Sequence, residues 1–148
     1  MPSIIPSYVY TLFASLIVGT IVVSVCSLST LNVKTKAENQ QLTNITEYVA
    51  TESIDLISHA TSENLTSTLH LNVPQLIGSK MYWIQIANDS ARTWVEAGFG
   101  ITAFSSEQRT YIPSEVCASG TYISGSGAAI LECHSDGSDV YLTLSGGS

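Results

Sequence analysis

Charged residues are the scarcest feature of this chain. The first 33 residues contain no Lys, Arg, Asp or Glu, and the first charge is Lys34. The segment from Ile4 to Val33 is almost entirely apolar, and a helix needs only about 20 apolar residues to cross a bilayer. A signal peptide has a shorter apolar core, of about 7–15 residues, preceded by basic residues. We therefore expect a buried helix, surrounded either by lipid or by other apolar protein segments.

Basic residues are few along the whole chain. Its 148 residues include five Lys and Arg against twelve Asp and Glu, which gives a formal net charge of −7. Proteins that bind nucleic acid neutralise its phosphates with clustered Lys and Arg. This composition contains no such cluster, so no nucleic-acid partner is expected.

Glycine and proline are both absent from Thr20 to Val73. This absence predicts one continuous helix from about Pro6 to about Leu65, roughly 90 Å long at about 1.5 Å per residue. Pro6 suits the first helical turn, where its missing N–H is not needed. After the apolar part, hydrophobic residues recur at helical spacing and predict a buried stripe, interrupted by Glu52. The stripe contains Leu42, Ile45, Val49, Leu56 and Ala60.

The residue pattern changes period near Thr68. Short runs of aromatic and β-branched residues, separated by turn residues, predict seven strands. These runs are residues 69–73, 81–86, 92–97, 109–112, 121–123, 128–133 and 140–144. The predicted fold class is α+β, with a long N-terminal hydrophobic helix and a small antiparallel all-β head, either a sandwich or a barrel. The predicted domains are the helix at 1–67 (apolar 4–33, amphipathic 34–67) and the head at 68–148.

The three cysteines fall in different environments. Cys26 lies in the apolar helix, where a free thiol behaves as a small hydrophobe. Cys117 and Cys133 both lie in the head, and a bridge between them would contribute roughly 3 kcal/mol in the chain-entropy model. We predict that disulfide, which requires an oxidising compartment; the alternative is two buried free thiols.

Three Asn-x-Ser/Thr sequons also favour a location outside the cell. They begin at Asn44, Asn64 and Asn88, and Asn64 and Asn88 are expected to carry N-linked glycans more readily than Asn44. Lys34 and Lys36, however, would be retained in the cytoplasm by the positive-inside rule. A basic leader that precedes Met1 and is removed after insertion reconciles the two signals, so we expect the numbered chain to be a mature product.

No catalytic or metal-binding pattern is recognisable. His59, His70 and His134 have no partners at metal-ligand spacing. The contiguous residues His134, Ser135 and Asp136 cannot by themselves adopt the geometry of a catalytic triad. We expect neither enzymatic activity nor a cofactor.

The long apolar helix, its amphipathic continuation and the small β head resemble a type IV pilin. The run from Leu71 to Ile86 is similar to a recurrent archaeal pilin motif, in which a "P-x-x-I-G-x-x-Y" strand–turn–strand follows the long helix; here Tyr82 stands one residue further from Gly78. The Glu that bacterial pilins carry at the fifth mature residue is replaced here by Ile5. The resemblance is therefore to the archaeal branch of the type IV filament superfamily, with a pilus or flagellin-like subunit as the expected form.

The resemblance implies a structural subunit of an extracellular archaeal filament, with adhesion or surface attachment as its role. Such a subunit is inserted in the cytoplasmic membrane before the pilus assembly machinery adds it to a homopolymer. Its apolar helix packs against copies of itself, and small residues such as Gly19 permit close approach of helices. The residues expected in this polymerisation helix are Ile4, Ile5, Tyr8, Val9, Leu12, Phe13, Leu16, Ile17, Gly19, Ile21, Val22, Val25, Leu28 and Leu31.

A second interpretation uses the same helix differently. The chain could be a single-pass, membrane-anchored β-domain, such as a minor pilin-like or stator component, that never polymerises. Both kinds of protein begin in the membrane, so the sequence discriminates poorly between them.

Overall fold

The computed structural model describes residues 4–89, 91–103, 109–137 and 139–147. Helix α1 runs from Ile4 to Glu63 without interruption at Lys34–Glu38, so the predicted continuous helix is confirmed. The next residue, Asn64, has a positive φ of 51°. The amide of Leu65 then donates to the carbonyl of Ala60 at 3.3 Å, which is the hydrogen bond of a Schellman-type helix end.

Seven strands follow the helix in the described part of the chain, in agreement with the predicted α+β fold class. They are β1 (Thr66–Leu71), β2 (Tyr82–Asn88), β3 (Thr93–Phe99), β4 (Arg109–Ile112), β5 (Cys117–Ile123), β6 (Ala129–Ser135) and β7 (Val140–Gly146). They form one sheet in the order β1-β6-β7-β5-β2-β3-β4. All neighbouring strands are antiparallel except β5 and β7, which are parallel.

The core lies between the second half of α1 and one face of the sheet. The predicted stripe residues of α1 are buried in the same cluster as inward-facing strand residues such as Ile84, Val95 and Leu142. The interruption expected at Glu52 does not occur, because Glu52 is half-buried beside the stripe. Ser53 occupies the stripe position and donates its hydroxyl to the carbonyl of Val49 at 2.7 Å. The hydroxyl is thereby buried with its hydrogen bond made.

The chain divides into two compact units, residues 1–37 and residues 38–148. The second unit contains the sheet together with the part of α1 from Glu38 onward. This helix segment contributes the side chains against which the sheet packs, so the head includes a helix as well as strands.

The disulfide predicted between Cys117 and Cys133 is absent, and all three cysteines are free. Cys117 on β5 pairs with Tyr141, Cys133 on β6 pairs with Leu142, and β7 lies between the two cysteines. Two strand spacings amount to about 9.5 Å, whereas bridged cysteines have Cα atoms less than about 7 Å apart. The thiols also lie on opposite faces, because Cys117 is exposed and Cys133 is buried. The prediction was therefore wrong, and Cys26 is free as expected.

Candidate assembly helix

The first part of α1 exposes its apolar side chains on all sides. Every described side chain from Tyr8 to Ala37 is exposed, and the first buried residue is Glu38. Within the described residues this is the helix that is long and apolar enough to cross a membrane. Soluble proteins rarely expose so large a contiguous apolar surface, so the segment needs an apolar environment that other molecules supply.

The predicted polymerisation residues are distributed around the helix circumference. Exposure ranges from 48% at Val9 to 77% at Tyr8 for those with described side chains. These are Tyr8, Val9, Leu12, Phe13, Leu16, Ile17, Ile21, Val22, Val25, Leu28 and Leu31. Ile4 and Ile5 lie in the first turn of the helix. The structure thus places these residues on all sides of the helix rather than on one face. We call the exposed apolar surface from Tyr8 to Val33 the apolar sleeve.

Six Ser and Thr hydroxyl groups in this segment are already hydrogen-bonded within the helix. Ser15 and Thr20 donate to carbonyl oxygens three residues earlier, both at 2.8 Å. Four more donate to carbonyls four residues earlier at 2.8–2.9 Å, namely Ser24, Ser27, Ser29 and Thr30. Because a polar group without a partner is costly in an apolar medium, these internal bonds allow a Ser- and Thr-containing helix to be buried.

Gly19 produces a shallow depression in the sleeve. Nothing lies within 4 Å of the position that a Cβ would occupy there. A groove of about 380 Å³ surrounds the position, lined by residues that include Ser15, Val23 and Ser24. A second groove of about 530 Å³ adjoins it at Ser15 and extends toward Tyr8. Small residues of this kind let a second helix approach closely.

Glu38 marks the point where the helix becomes buried. Its carboxylate accepts a hydrogen bond from the ammonium of Lys80 at 2.6 Å, and its side chain is only 7% exposed against 48% for that of Lys80. The Lys80 ammonium also lies 5.1 Å from the centre of the Phe99 ring. This ion pair joins α1 to the turn before β2. The sequence analysis did not predict this ion pair. The available signal was the position of Glu38 four residues before Leu42, because an acidic side chain on the buried stripe of a helix needs a basic partner.

The residues of the pilin-like motif, between Pro74 and Tyr82, form the turn that precedes β2. Ile77 and Lys80 exchange two backbone hydrogen bonds of 3.1 Å across a tight turn, and Gly78 in that turn has a φ of +63°. The hydroxyl of Tyr82 donates to the carbonyl of Pro74, and burial raises the pKa of this phenol. Pro74, Ile77, Gly78 and Tyr82 together fix the turn that presents Lys80 to Glu38.

The sequon asparagines all lie at the surface of the second unit. The side-chain oxygen of Asn44 accepts from Gln40 at 3.1 Å, that of Asn64 accepts from the Gly137 amide at 3.1 Å, and that of Asn88 accepts from the Ala118 amide at 3.2 Å. Ser90, the third residue of the last sequon, lies outside the described residues. Glycosylation at these positions stays a prediction.

The histidines are dispersed over the second unit. His59 and His70 are exposed, and Nδ1 of His134 lies 2.8 Å from the hydroxyl of Thr66. Within the described ranges, no group of three or more His, Cys, Asp or Glu residues is placed to hold a metal ion.

A cluster of arginine and aromatic side chains on β3 and β4 was also missed from the sequence. Arg109 lies 4.7 Å from the Trp94 ring centre and donates to the Glu96 carboxylate at 3.1 Å. Trp94 and Tyr111 are cross-strand partners whose rings meet edge to face at 6.5 Å. The period-two alternation of Arg92, Trp94 and Glu96 was the available signal, because alternate residues of a strand share one face.

Comparison of the chain with protein-family models, curated proteins and solved structures finds no match.

Proposed function

We propose that this protein is a structural subunit of an extracellular filament of the archaeal type IV pilus kind, which polymerises through its apolar helix. The observation that carries the proposal is the exposed apolar sleeve from Tyr8 to Val33. Full burial of one Leu, Ile, Val or Phe side chain contributes about 1.5–3 kcal/mol. A sleeve of many such residues is therefore strongly driven to leave water, and once it is in the membrane its association with copies of itself depends on close helix packing.

The composition of the sleeve supports burial against protein as well as lipid. Six of its Ser and Thr hydroxyls are bonded internally, so these six create no unpaired polar group in a dry core. The depression at Gly19 offers a place where a neighbouring helix can approach. Helices in apolar surroundings associate through close packing at small residues, which favours a helical polymer of this chain.

The continuity of α1 also supports a filament subunit. The same helix that carries the sleeve continues to Glu63 and forms part of the core of the head. A filament requires each subunit to transmit load from its buried helix to its exposed head, and an unbroken helix without a Gly or Pro linker suits that requirement. Attachment to surfaces is the role we propose for the finished filament, with N-linked glycans on the exposed heads.

The test is to shear the surface of cells that express the chain and to examine the released material by negative-stain microscopy. We expect filaments whose digested peptides map to this sequence in mass spectrometry. If the chain remains in the membrane fraction and no filament contains it, the proposal fails.

The second candidate is a single-pass membrane anchor for a β-domain that does not polymerise. It is favoured by one observation, the length and apolarity of α1, which suffice to cross a bilayer. Chemical cross-linking in native membranes distinguishes the two, because an anchor gives monomers whereas a filament precursor gives ladders after assembly begins.

A further inference from the structure

Three loops meet at one end of the head and enclose an open cleft. The β2–β3 turn supplies Asp89 and Arg92, the β4–β5 connection supplies Glu115, and the β6–β7 turn supplies Asp139. The cleft consists of two adjoining cavities of about 390 Å³ and about 300 Å³ that share Arg92 and Glu115. Ligand sites in proteins are usually clefts of about 300–1,000 Å³, so this end of the head is large enough to hold a small molecule.

Hydrogen bonds hold the walls of the cleft in place. One carboxylate oxygen of Asp89 accepts from the amides of Ala91 and Arg92, each at 2.8 Å. These amide bonds lower the pKa of Asp89 because they stabilise the ionised carboxylate. The hydroxyl of Thr93 donates to the carbonyl of Val116 at 3.1 Å and joins β3 to the opposite wall. The site is thus formed before any ligand arrives.

The side chains of the cleft combine an aromatic surface with hydrogen-bonding groups. Tyr111 is 51% exposed at the rim, and the Arg92 guanidinium lies 5.8 Å from its ring centre. The carboxylates of Asp89, Glu115 and Asp139 accept hydrogen bonds, whereas the Arg92 guanidinium and the Asn88 amide donate them. A flat aromatic face beside convergent donors and acceptors suits a ligand with C–H groups on one face and hydroxyls around its edge.

Charge narrows the class of ligand. Among the described residues, three carboxylates and one guanidinium line the cleft, so an anion would be repelled. A cation would be attracted by the carboxylates but repelled by the Arg92 guanidinium, which lies 5.8 Å from the centre of the Tyr111 ring. A bound metal ion does not fit either, because the described acids are not grouped as metal ligands. A neutral polyhydroxylated molecule is the class that uses the hydrogen-bond donors and acceptors of the cleft together.

We propose that this cleft binds a neutral saccharide, with Tyr111 stacking on the sugar ring and Glu115 and Arg92 bonding its hydroxyls. The saccharide has two possible sources. It is either a glycan outside the protein or the glycan predicted on Asn88, which lines the same cleft. The proposal is independent of polymerisation, because the residues of the cleft all belong to the compact unit 38–148.

The test uses the full-length chain in a detergent without a sugar headgroup, such as a lauryl amine oxide. The probes are immobilised glucose, galactose, mannose and N-acetylglucosamine, with sialic acid and a primary amine as charged probes. We expect binding to at least one neutral sugar. Tyr111→Ala and Glu115→Gln should each weaken it at least tenfold, and Tyr111→Phe, which keeps the ring, should bind within about threefold of wild type.

Matched controls are available in the same sheet. Tyr141→Ala and Glu132→Gln change an exposed tyrosine and an exposed glutamate that line neither cavity, and both should bind as wild type does. Ser90→Ala removes the sequon and leaves Asn88 intact. Equal binding by wild type and Ser90→Ala indicates an external saccharide, whereas binding by Ser90→Ala alone, with a glycan mass on wild-type Asn88, indicates the protein's own glycan.

The proposal is overturned if neither wild type nor Ser90→Ala binds a neutral sugar at millimolar concentration. It is also overturned if the charged probes bind instead, or if the control variants lose as much binding as Tyr111→Ala. Circular dichroism of each variant shows whether the head is folded. Should Tyr111→Ala prove unfolded, Glu115→Gln against Glu132→Gln decides the outcome.

Discussion

At the scale of single residues, the most informative contact is the ion pair between Glu38 and Lys80. Removing one partner of a buried pair usually costs more than the pair contributes, because the other charge is left in a poorly solvated place. Here Lys80 is half exposed, so water screens the pair and its contribution is about 1 kcal/mol. The pair serves chiefly to fix the position at which α1 enters the core.

Gly78 provides a direct test of this contact. A Cβ at Gly78 would lie 2.7 Å from a carboxylate oxygen of Glu38, whereas a Cβ at Gly137 would meet nothing within 4 Å. Both glycines have positive φ, +63° and +74°, so Gly78→Ala and Gly137→Ala share a backbone cost of about 1–2 kcal/mol. We expect Gly78→Ala to lower the free energy of unfolding by about 1 kcal/mol more, since it displaces Glu38 from Lys80.

The measurement is denaturant unfolding of both variants in the wild-type and Glu38→Ala backgrounds. The extra cost of Gly78→Ala should disappear when Glu38 is alanine. If Gly78→Ala and Gly137→Ala lower the free energy of unfolding equally in the wild-type background, the Glu38 carboxylate does not hinder a side chain at position 78.

The cysteines allow a second prediction at this scale. Burial raises the pKa of the Cys133 thiol, and Cys117 is exposed. The thiolate is the reactive form, so Cys117 should react with iodoacetamide in the native protein at pH 8 while Cys133 reacts only after denaturation. Mass spectrometry without reductant should find all three cysteines alkylated in denaturant. If Cys117 and Cys133 both resist alkylation in denaturant without reductant, the two cysteines form the disulfide that the sequence analysis predicted.

At the scale of elements, α1 has two different surfaces along one continuous backbone. From Glu38 to Ala60 a stripe of the helix is buried against the sheet, as expected for an amphipathic helix. Before Lys34 the helix is apolar all round, and its exposed side chains need an apolar environment. Substitutions in the sleeve should therefore affect assembly more than the stability of the head.

Val22→Asp is the strong form of this test. In a filament core the carboxylate would be repeated in every subunit without a partner, at a cost of several kcal/mol per copy. Insertion of an Asp at the centre of a membrane helix costs only about 2.5–3.5 kcal/mol, which a long apolar span tolerates. We expect no filaments by microscopy, a folded head by circular dichroism, and normal assembly of the control Val22→Leu. Filaments that survive Val22→Asp would contradict a dry helical core.

Gly19→Leu is the milder form and separates assembly from anchoring. The change keeps the sleeve apolar and improves membrane insertion, but it fills the depression at Gly19. We expect at least tenfold fewer filaments with unchanged membrane content, measured by quantitative immunoblot of sheared and membrane fractions. Val18→Leu enlarges an adjacent exposed side chain without closing the depression and should assemble as wild type does. Normal filaments from Gly19→Leu would exclude close packing at this position.

At the scale of the whole molecule, residues 38–148 form a compact unit that includes part of α1. Seven of its buried apolar residues come from the helix, namely Leu42, Ile45, Val49, Ala50, Leu56, Ile57 and Ala60. Each large one contributes about 1.5–3 kcal/mol when buried, against a total stability of about 5–15 kcal/mol for a domain. The strands alone therefore cannot retain a folded core.

A truncation series tests this conclusion. The fragment 38–148 should be soluble and unfold cooperatively, whereas the fragment 68–148, which begins where the head was expected from the sequence, should be unfolded or aggregated. Amide dispersion in NMR spectra distinguishes the two states. Val49→Asp in the longer fragment is the matched control and should also abolish the folded state, because Val49 is fully buried. A folded 68–148 fragment would show that the helix is dispensable for the head.

The sequence by itself determined the local elements of this protein. The long helix follows from an unbroken span without Gly or Pro, and the strands follow from period-two runs between turn residues, because both signals act over a few neighbouring positions. The apolar sleeve could also be predicted from the sequence, since its apolar character on all sides depends on no contact within the chain. Function was predicted only as far as these local signals and the resemblance extend.

Only the tertiary structure decided which distant residues meet. Strand order places β7 between β5 and β6 and so separates Cys117 from Cys133. The sequence spacing of the two cysteines, 16 residues, does not predict this separation. The same order brings Lys80 to Glu38 and gathers Asp89, Arg92, Tyr111, Glu115 and Asp139 around one cleft. These pairings depend on packing the whole sheet against α1, because the energy of a non-local contact is set by all the contacts that form with it.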